Sequence, residues 1–400
     1  FLPGIGAEDL LEESLRWDRL HAEPLKGFQR AHENERTPGR RLRIGFVSPN
    51  FRDHVVGRNL LPFLREYDRD EAEIYCYADI YEPDAVTEEI RGLANHWRNS
   101  IWRSDEDLAE MVRGDQIDIL VDLTLHMAQN RLLTFAYKPA PVQATYLGYC
   151  GGTGMEAMDY RFSDGLFDPP TAAQNCYRET TVRLPSYWCY EPLDSAKERA
   201  AGGTSPSDCF RFGCLNHPGK VSSEALKSWL EILRRRPGAR LVLHAPESSC
   251  RDRLHRWFSV GGIDPERIEF LGMQPRDRYL ESWRRIDVAL DSFPYAGGIT
   301  SCDALWMGTP VVSLAGATSV GRGGASILSR VGLEELIADT SARYVEIALS
   351  LANDGARLRD LRGGLRERMR KSPLRDGQSF AGSFESAFRQ MWRDWCERLR

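Results

Sequence analysis

Two short stretches carry the residue types needed to hold a diphosphate. The first is residues 287–303, where the apolar run Val288-Ala289-Leu290 leads through Gly297-Gly298 into Ile299-Thr300-Ser301-Cys302-Asp303. A strand, a glycine turn and a helix in that order present N–H groups and the positive end of a helix dipole at the strand's carboxyl end, where an anion binds. Glycines let backbone approach the anion, and Thr300 can cap the helix while its hydroxyl still faces the loop. Asp303, one turn in, can accept hydrogen bonds from a ribose hydroxyl pair. The Thr300-x-x-Asp303 spacing also fits a capping box, in which both side chains satisfy only helix N–H groups. The second stretch leaves a strand at Phe212 to Leu215 and runs through Asn216-His217-Pro218-Gly219 to Lys220 ahead of another helix. A lysine on that rim neutralises phosphate with a charge-assisted hydrogen bond of about 1.5–3 kcal/mol. A lone lysine before a helix is more often a solvated surface charge.

Other loops carry weaker signals. In Gly272-Met273-Gln274-Pro275-Arg276 the backbone around Gln274 can read a base edge and Arg276 can face phosphate, although Pro275 also suits an ordinary strand-to-helix turn. Nearer the start, His54 follows the first strand and His126 the third, which puts both on one rim. Gly148, Tyr149, Gly151, Gly152 and Thr153 form a glycine-rich loop after a strand, suited to lie against a sugar or a peptide backbone. Asp68-Arg69-Asp70 has the Asp-x-Asp pattern of metal-dependent sugar transfer, but it precedes a strand and reads as a surface turn.

These loops need a scaffold of alternating strands and helices. Strands are expected at 42–48, 73–78, 117–124, 142–147, 160–163 and 181–184, with helices at 59–66, 86–94 and 105–113. After a Gly, Pro and Ser/Thr-rich boundary at 200–208 the alternation restarts. Strands are then expected at 210–215, 240–244, 267–271, 288–291 and 310–314, and helices at 223–235, 251–260, 276–284, 300–307, 323–331 and 341–352. Helices at 360–370 and 379–399 finish the chain, and residues 7–31 read as linking helices before a polar linker at 33–41. Short apolar runs separated by helical ones mark βα units and parallel sheets. The expectation is two α/β Rossmann-like domains facing each other across a cleft, divided as 1–40, 41–200, 208–378 and a C-terminal helix at 379–400.

Composition sets limits on partners. Four hundred residues exceed one core and fit two domains. A net charge of −5 gives no basic face for nucleic acid. Nine cysteines show neither Cys-x-x-Cys pairs nor zinc spacing, so no metal site or disulfide framework is expected and reduced thiols in cytoplasm are the default. No apolar run of about 18 residues marks a membrane span. The chain starts with Phe1, and is expected to be a piece of a longer protein.

Several runs together resemble the protein O-GlcNAc transferase and SPINDLY group, glycosyltransferase family 41. They are Leu42-Arg43-Ile44-Gly45-Phe46-Val47-Ser48-Pro49, Pro139 to Tyr149 with Asp159-Tyr160, Leu290 through Asp303, and Ala304-Leu305-Trp306-Met307-Gly308-Thr309-Pro310. Gly316, Arg322, Ser326, Leu328, Gly332-Leu333, Leu361-Arg362 and Met391-Trp392 add to the match. The resemblance implies a GT-B fold and an inverting, metal-independent transfer of a sugar from a nucleotide donor to Ser or Thr hydroxyls of proteins. UDP-GlcNAc is the first donor expected and GDP-fucose the second, with no cofactor. By position, it implies that Lys220 holds the diphosphate, that Gly297, Gly298, Ile299, Thr300 and Ser301 form the phosphate-binding helix start, and that Asp303 meets the ribose. Gln274 and Arg276 would contact base and phosphate, Asn216, His217 and Tyr279 would border the donor, and His54 and His126 would serve the acceptor side. Upstream tetratricopeptide repeats, and an oligomer formed through them, are part of the same implication. Leu125, Gly298 and Tyr279 depart from the family pattern, where Gly, His or Thr, and His are expected. Rival readings are a sugar-nucleotide isomerase on the same fold and a catalytically silent nucleotide-binding module.

Overall fold

The computed structural model describes residues 4–170, 176–192 and 209–398. In each half, apolar runs too short for helices become strands, and the amphipathic segments between them cross back over the sheet. The first sheet contains β1 (Leu42–Ser48), β2 (Ala72–Ala78), β3 (His96–Asn99), β4 (Ile119–Asp122), β5 (Val142–Thr145), β6 (Tyr160–Asp164) and β7 (Thr180–Leu184). Their order is β3-β2-β1-β4-β5-β6-β7 and every pairing is parallel. Strands β4, β5 and β6 are buried at every residue, as a sheet covered on both faces requires. The second sheet contains β8 (Arg211–Cys214), β9 (Arg240–His244), β10 (Ile268–Leu271), β11 (Val288–Leu290), β12 (Val311–Leu314) and β13 (Ile337–Ala338). Its order, β10-β9-β8-β11-β12-β13, is again wholly parallel. Both sheets therefore have the Rossmann arrangement, with the switch point beside the first strand of each.

Helices in the first half are α1 (Ala7–Trp17), α2 (Val55–Glu66), α3 (Ala85–Leu93), α4 (Asp105–Gly114) and α5 (Leu132–Ala136). In the second they are α6 (Ser223–Arg235), α7 (Ser249–Val260), α8 (Arg276–Ser282), α9 (Ile299–Trp306), α10 (Gly323–Arg330), α11 (Ser341–Asn353) and α12 (Gly355–Lys371), and α13 (Gly377–Glu397) follows. No helix among the described residues is long and apolar enough to cross a membrane.

The chain forms two compact units, one of Ile5–Glu191 with the chain from Asp376 onward, the other centred on Pro192–Arg375. The C-terminal helix, expected as an element of its own, thus belongs to the first unit. Its Phe384 and Phe388 pack among Phe46, Phe63 and Phe162, and Phe384 also meets Tyr146 edge-on. The expected boundary at 200–208 lies outside the described residues.

Three elements were not anticipated. β3, His96-Trp97-Arg98-Asn99, is a half-exposed edge strand without an apolar run. β13 is two residues long and α5 five, too short to show a period. Helix α2 begins at Val55, four residues earlier than expected, because the His54 ring caps it by accepting from the Val56 N–H.

Candidate functional site

In the second unit, the carboxyl ends of β8, β11 and β12 bring three loops together. After β11 the chain passes through Asp291-Ser292-Phe293-Pro294-Tyr295-Ala296-Gly297, with a cis peptide between Phe293 and Pro294, and enters α9. The loop after β12 supports it: the Ala296 N–H donates to the Val320 carbonyl at 3.0 Å. The turn after β8 lies alongside, where Val221 bridges to Pro294 and the Ser222 hydroxyl donates to the Phe293 carbonyl at 2.6 Å. Lys220 follows from that geometry. Its Nζ donates to the Ala296 carbonyl at 3.1 Å and stands 4.0 Å from the centre of the Tyr295 ring. A cation–π contact of this kind holds an ammonium beside the loop without neutralising it.

The start of α9 differs from the expected one. The helix runs from Ile299 with Gly298 at the cap position, so Thr300 lies within the first turn and makes no cap, and the capping-box reading fails. The Ser301 and Cys302 N–H groups both turn back to the Gly298 carbonyl. Ile299 and Thr300 are the amides that precede any acceptor within the helix. Gly297 is needed for a reason other than anion approach. Its N–H donates to Asp291 Oδ1 at 2.7 Å, and a Cβ at this position would lie 2.3 Å from Ser301 Oγ. Ser301 itself is buried beneath the loop.

Asp303 is 1% exposed, and both its oxygens are engaged. Arg276 Nη2 donates to Oδ1 at 2.8 Å and the Tyr279 hydroxyl to Oδ2 at 3.2 Å. A ribose contact expected of Asp303 is therefore overlaid by Arg276 and Tyr279, the members of the trio nearer solvent. Burial, then the neighbouring Asp303, pushes the Tyr279 phenol up, which keeps it a neutral donor. Gln274 accepts from the Ser282 hydroxyl through Oε1 at 3.2 Å. His217 is exposed and takes the Gly219 N–H on Nδ1 at 3.1 Å. Asn216 is buried, with Nδ2 donating to Asp291 Oδ1 and Ser292 Oγ at 2.9 and 2.8 Å. It ties the loops from β8 and β11 together.

The first unit carries its own rim at the carboxyl ends of β1, β4 and β5. His54 takes a proton donor on Nδ1, so its neutral ring carries hydrogen on Nε2. Burial, with Arg52 and Arg58 near it, brings His54 down to about 4. It is thus a hydrogen-bond donor near neutral pH, which argues against a general base. His126 is the same tautomer engaged through its other nitrogen: Nε2 donates to the Thr153 carbonyl at 2.9 Å, which leaves Nδ1 as the acceptor. Its ring meets Trp17 edge-on.

Of the glycine-rich loop, Gly148 lies against the Leu123 and Thr124 carbonyls, the Tyr149 ring lies over Gly151, and the Gly151 carbonyl accepts from buried Arg161 at 3.0 Å. Gly152 sits against Glu179, and Thr153 is fully buried with its hydroxyl and N–H on that carboxylate. Thr153 therefore braces the loop and does not face a sugar. Leu125, one of the departures from the family pattern, is 1% exposed, with its side chain in the core and its backbone at φ +53°. That left-handed conformation suits glycine, the residue the resemblance leads one to expect there.

Sequence reasoning passed over Asp122, Asp291 and Tyr295. A carboxylate directly after an apolar strand, as in Val121-Asp122 and Leu290-Asp291, was the available signal for the first two.

The family model for glycosyl transferase family 41 matches residues 14–189 and 198–384. The probable UDP-N-acetylglucosamine–peptide N-acetylglucosaminyltransferase SPINDLY of Solanum lycopersicum is 35% identical over 98% of this chain. The probable transferase SEC of Arabidopsis thaliana is 28% identical over 89% of it. The chain spans only 43% and 38% of those two proteins. Among solved structures, a Thermobaculum terrenum O-GlcNAc transferase mutant matches with a TM-score of 0.93 at 40% identity, covering 100% of this chain and 76% of that one. HepE of Anabaena in complex with UDP and glucose matches at 0.55 and 15%, covering 86% of this chain and 100% of that one, a likeness of fold alone.

Proposed function

Because the chain belongs to glycosyltransferase family 41, we propose that it transfers a sugar from a nucleoside-diphosphate donor to Ser or Thr hydroxyls of polypeptides, with inversion and without a metal. The observation that carries this reading is Lys220 docked against the loop that opens α9, with the Ile299 and Thr300 amides at the helix start. In the reaction, the acceptor oxygen bonds to the anomeric carbon as the bond to the diphosphate oxygen breaks. Charge growing on the leaving diphosphate is met by the Lys220 ammonium and the helix-start amides, an electrostatic stabilisation worth roughly 10² to 10³ in turnover per donor. Arg276, seated on Asp303, supplies a second cation beside the nucleotide.

UDP-GlcNAc is the donor we favour, in line with the names of the plant relatives, and proteins with Ser or Thr are the acceptors. Calorimetric titration with UDP and with GDP tests the base. Incubation with labelled UDP-GlcNAc and a Ser/Thr peptide tests the transfer, and label on the peptide is the expected outcome. Preference for GDP moves the donor to GDP-fucose. A converted sugar without labelled peptide favours the isomerase, and binding without chemistry favours a silent module.

A further inference from the structure

The loops that carry Lys220 and α9 converge on Asp291, 2% exposed at the end of β11. Its Oδ1 accepts from the Gly297 N–H at 2.7 Å and from Asn216 Nδ2 at 2.9 Å, and its Oδ2 accepts from the Ser313 hydroxyl at 2.8 Å. Gly324 makes room for it, since a Cβ there would lie 2.3 Å from Oδ2. Its backbone is fixed as well: the Asp291 carbonyl accepts from the Tyr344 hydroxyl at 2.9 Å, and Trp229 Nε1 donates to that hydroxyl at 3.2 Å. Asn216 begins the turn that ends at Lys220, and Gly297 leads directly into α9. One carboxylate therefore fixes the loops from β8 and β11 and reaches β12 through Ser313.

We propose that Asp291 is a positioning residue for the nucleoside-diphosphate site, holding the Lys220 turn and the α9 loop in a single register. The inference rests on the nucleotide-site reading above and extends it to a residue that touches no ligand. Burial pushes the Asp291 carboxyl up, while Gly297, Ser313, Asn216 and the charge of Lys220 act to keep it ionised. A buried negative charge close to a phosphate site is unfavourable to phosphate on charge alone. Its geometric role must therefore outweigh its electrostatic one, and the two predict opposite signs.

The test is UDP binding by calorimetry, together with donor and peptide kinetics, on Asp291→Asn, with folding followed by circular dichroism and melting. Neutralising the charge while keeping shape strengthens UDP binding if electrostatics dominates. Positioning predicts UDP binding weaker by about tenfold to a hundredfold, the range for outer partners of organised sites, with kcat reduced and the peptide KM unchanged. Unchanged or tighter UDP binding in folded D291N overturns the proposal. Should D291N fail to fold, Ser313→Ala removes one donor and keeps the charge; it should weaken UDP severalfold, and unchanged binding overturns the proposal. Wild-type protein that binds neither UDP nor GDP rejects the nucleotide site itself, a distinct failure.

Discussion

The two halves place a buried aspartate at the same topological point, the carboxyl end of the strand that lies next to the first strand of the sheet. In the first half Asp122 accepts from the Thr124 and Leu125 N–H groups at 3.1 and 2.8 Å and from the Thr145 hydroxyl on β5 at 2.8 Å. In the second, Asp291 accepts from the Gly297 N–H and the Ser313 hydroxyl on β12. The clasp is the same, but the clasped backbone is not. Among the described residues, every non-glycine with a left-handed φ lies in the first half: Trp102, Gln116, Leu125, Gln129, Lys138 and Leu147. In the second half that conformation falls to Gly262, Gly308 and Gly332. Trp102, Leu125, Gln129 and Leu147 sit in loops at the carboxyl ends of their strands, where such strain, about 1–2 kcal/mol per residue, persists only if the surroundings impose it. The comparison separates a half whose rim is shaped by side chains held in a costly backbone from one whose rim presents amides and a cation.

The largest expected effect tests that division directly. Lys220→Ala should reduce sugar transfer by roughly 10² to 10³ with little change in melting temperature, as read in a labelled-donor assay. An equal loss from His126→Ala would break the assignment of charge stabilisation to the second half. A smaller effect concerns strain. Leu125→Gly relieves the left-handed φ but empties a packed site, and the balance should be a loss of about 2 kcal/mol, because core truncation of leucine costs more than the strain returns. Denaturant unfolding measures it; a stabilised variant would mean that the strain exceeds the packing.

The smallest effect sharpens the comparison of the two clasps. Burial pushes Asp122 up to about 6 from 3.8, against its three donors, Thr145, Leu125 and Thr124. A carboxyl raised in this way favours the folded state while protonated. Its contribution is fully present below 3.8 and is lost as pH rises through 6. Between pH 5 and 7.5 the loss amounts to about 1.4 kcal/mol, and Asp122→Asn should remove that part of the pH slope in denaturant midpoints. An unaltered slope would show that Asp122 stays ionised throughout.

What the sequence disclosed follows from what leaves a local pattern. The alternation of apolar runs and amphipathic helices located most strands of both sheets, and the residues Leu290 to Asp303 marked the loop and helix at the second rim. Three features were hidden because their cause is distant in the chain. Thr300 looks like a cap, yet the cap position falls two residues earlier at Gly298, next to Gly297, which is drawn onto Asp291. Asp303 looks available to a ribose, but Arg276 and Tyr279 reach it from helix α8. The aromatic face of α13 shows that the helix is buried, whereas its partners Phe46, Phe63 and Phe162 lie hundreds of positions away.

Helix α13 also orders events during synthesis. Phe46, Phe63 and Phe162 are made early, while the phenylalanines that cover them leave the ribosome only after the whole second sheet. The half translated first is thus the one completed last, and until then the nascent chain exposes an uncovered aromatic surface of the kind that chaperones shield.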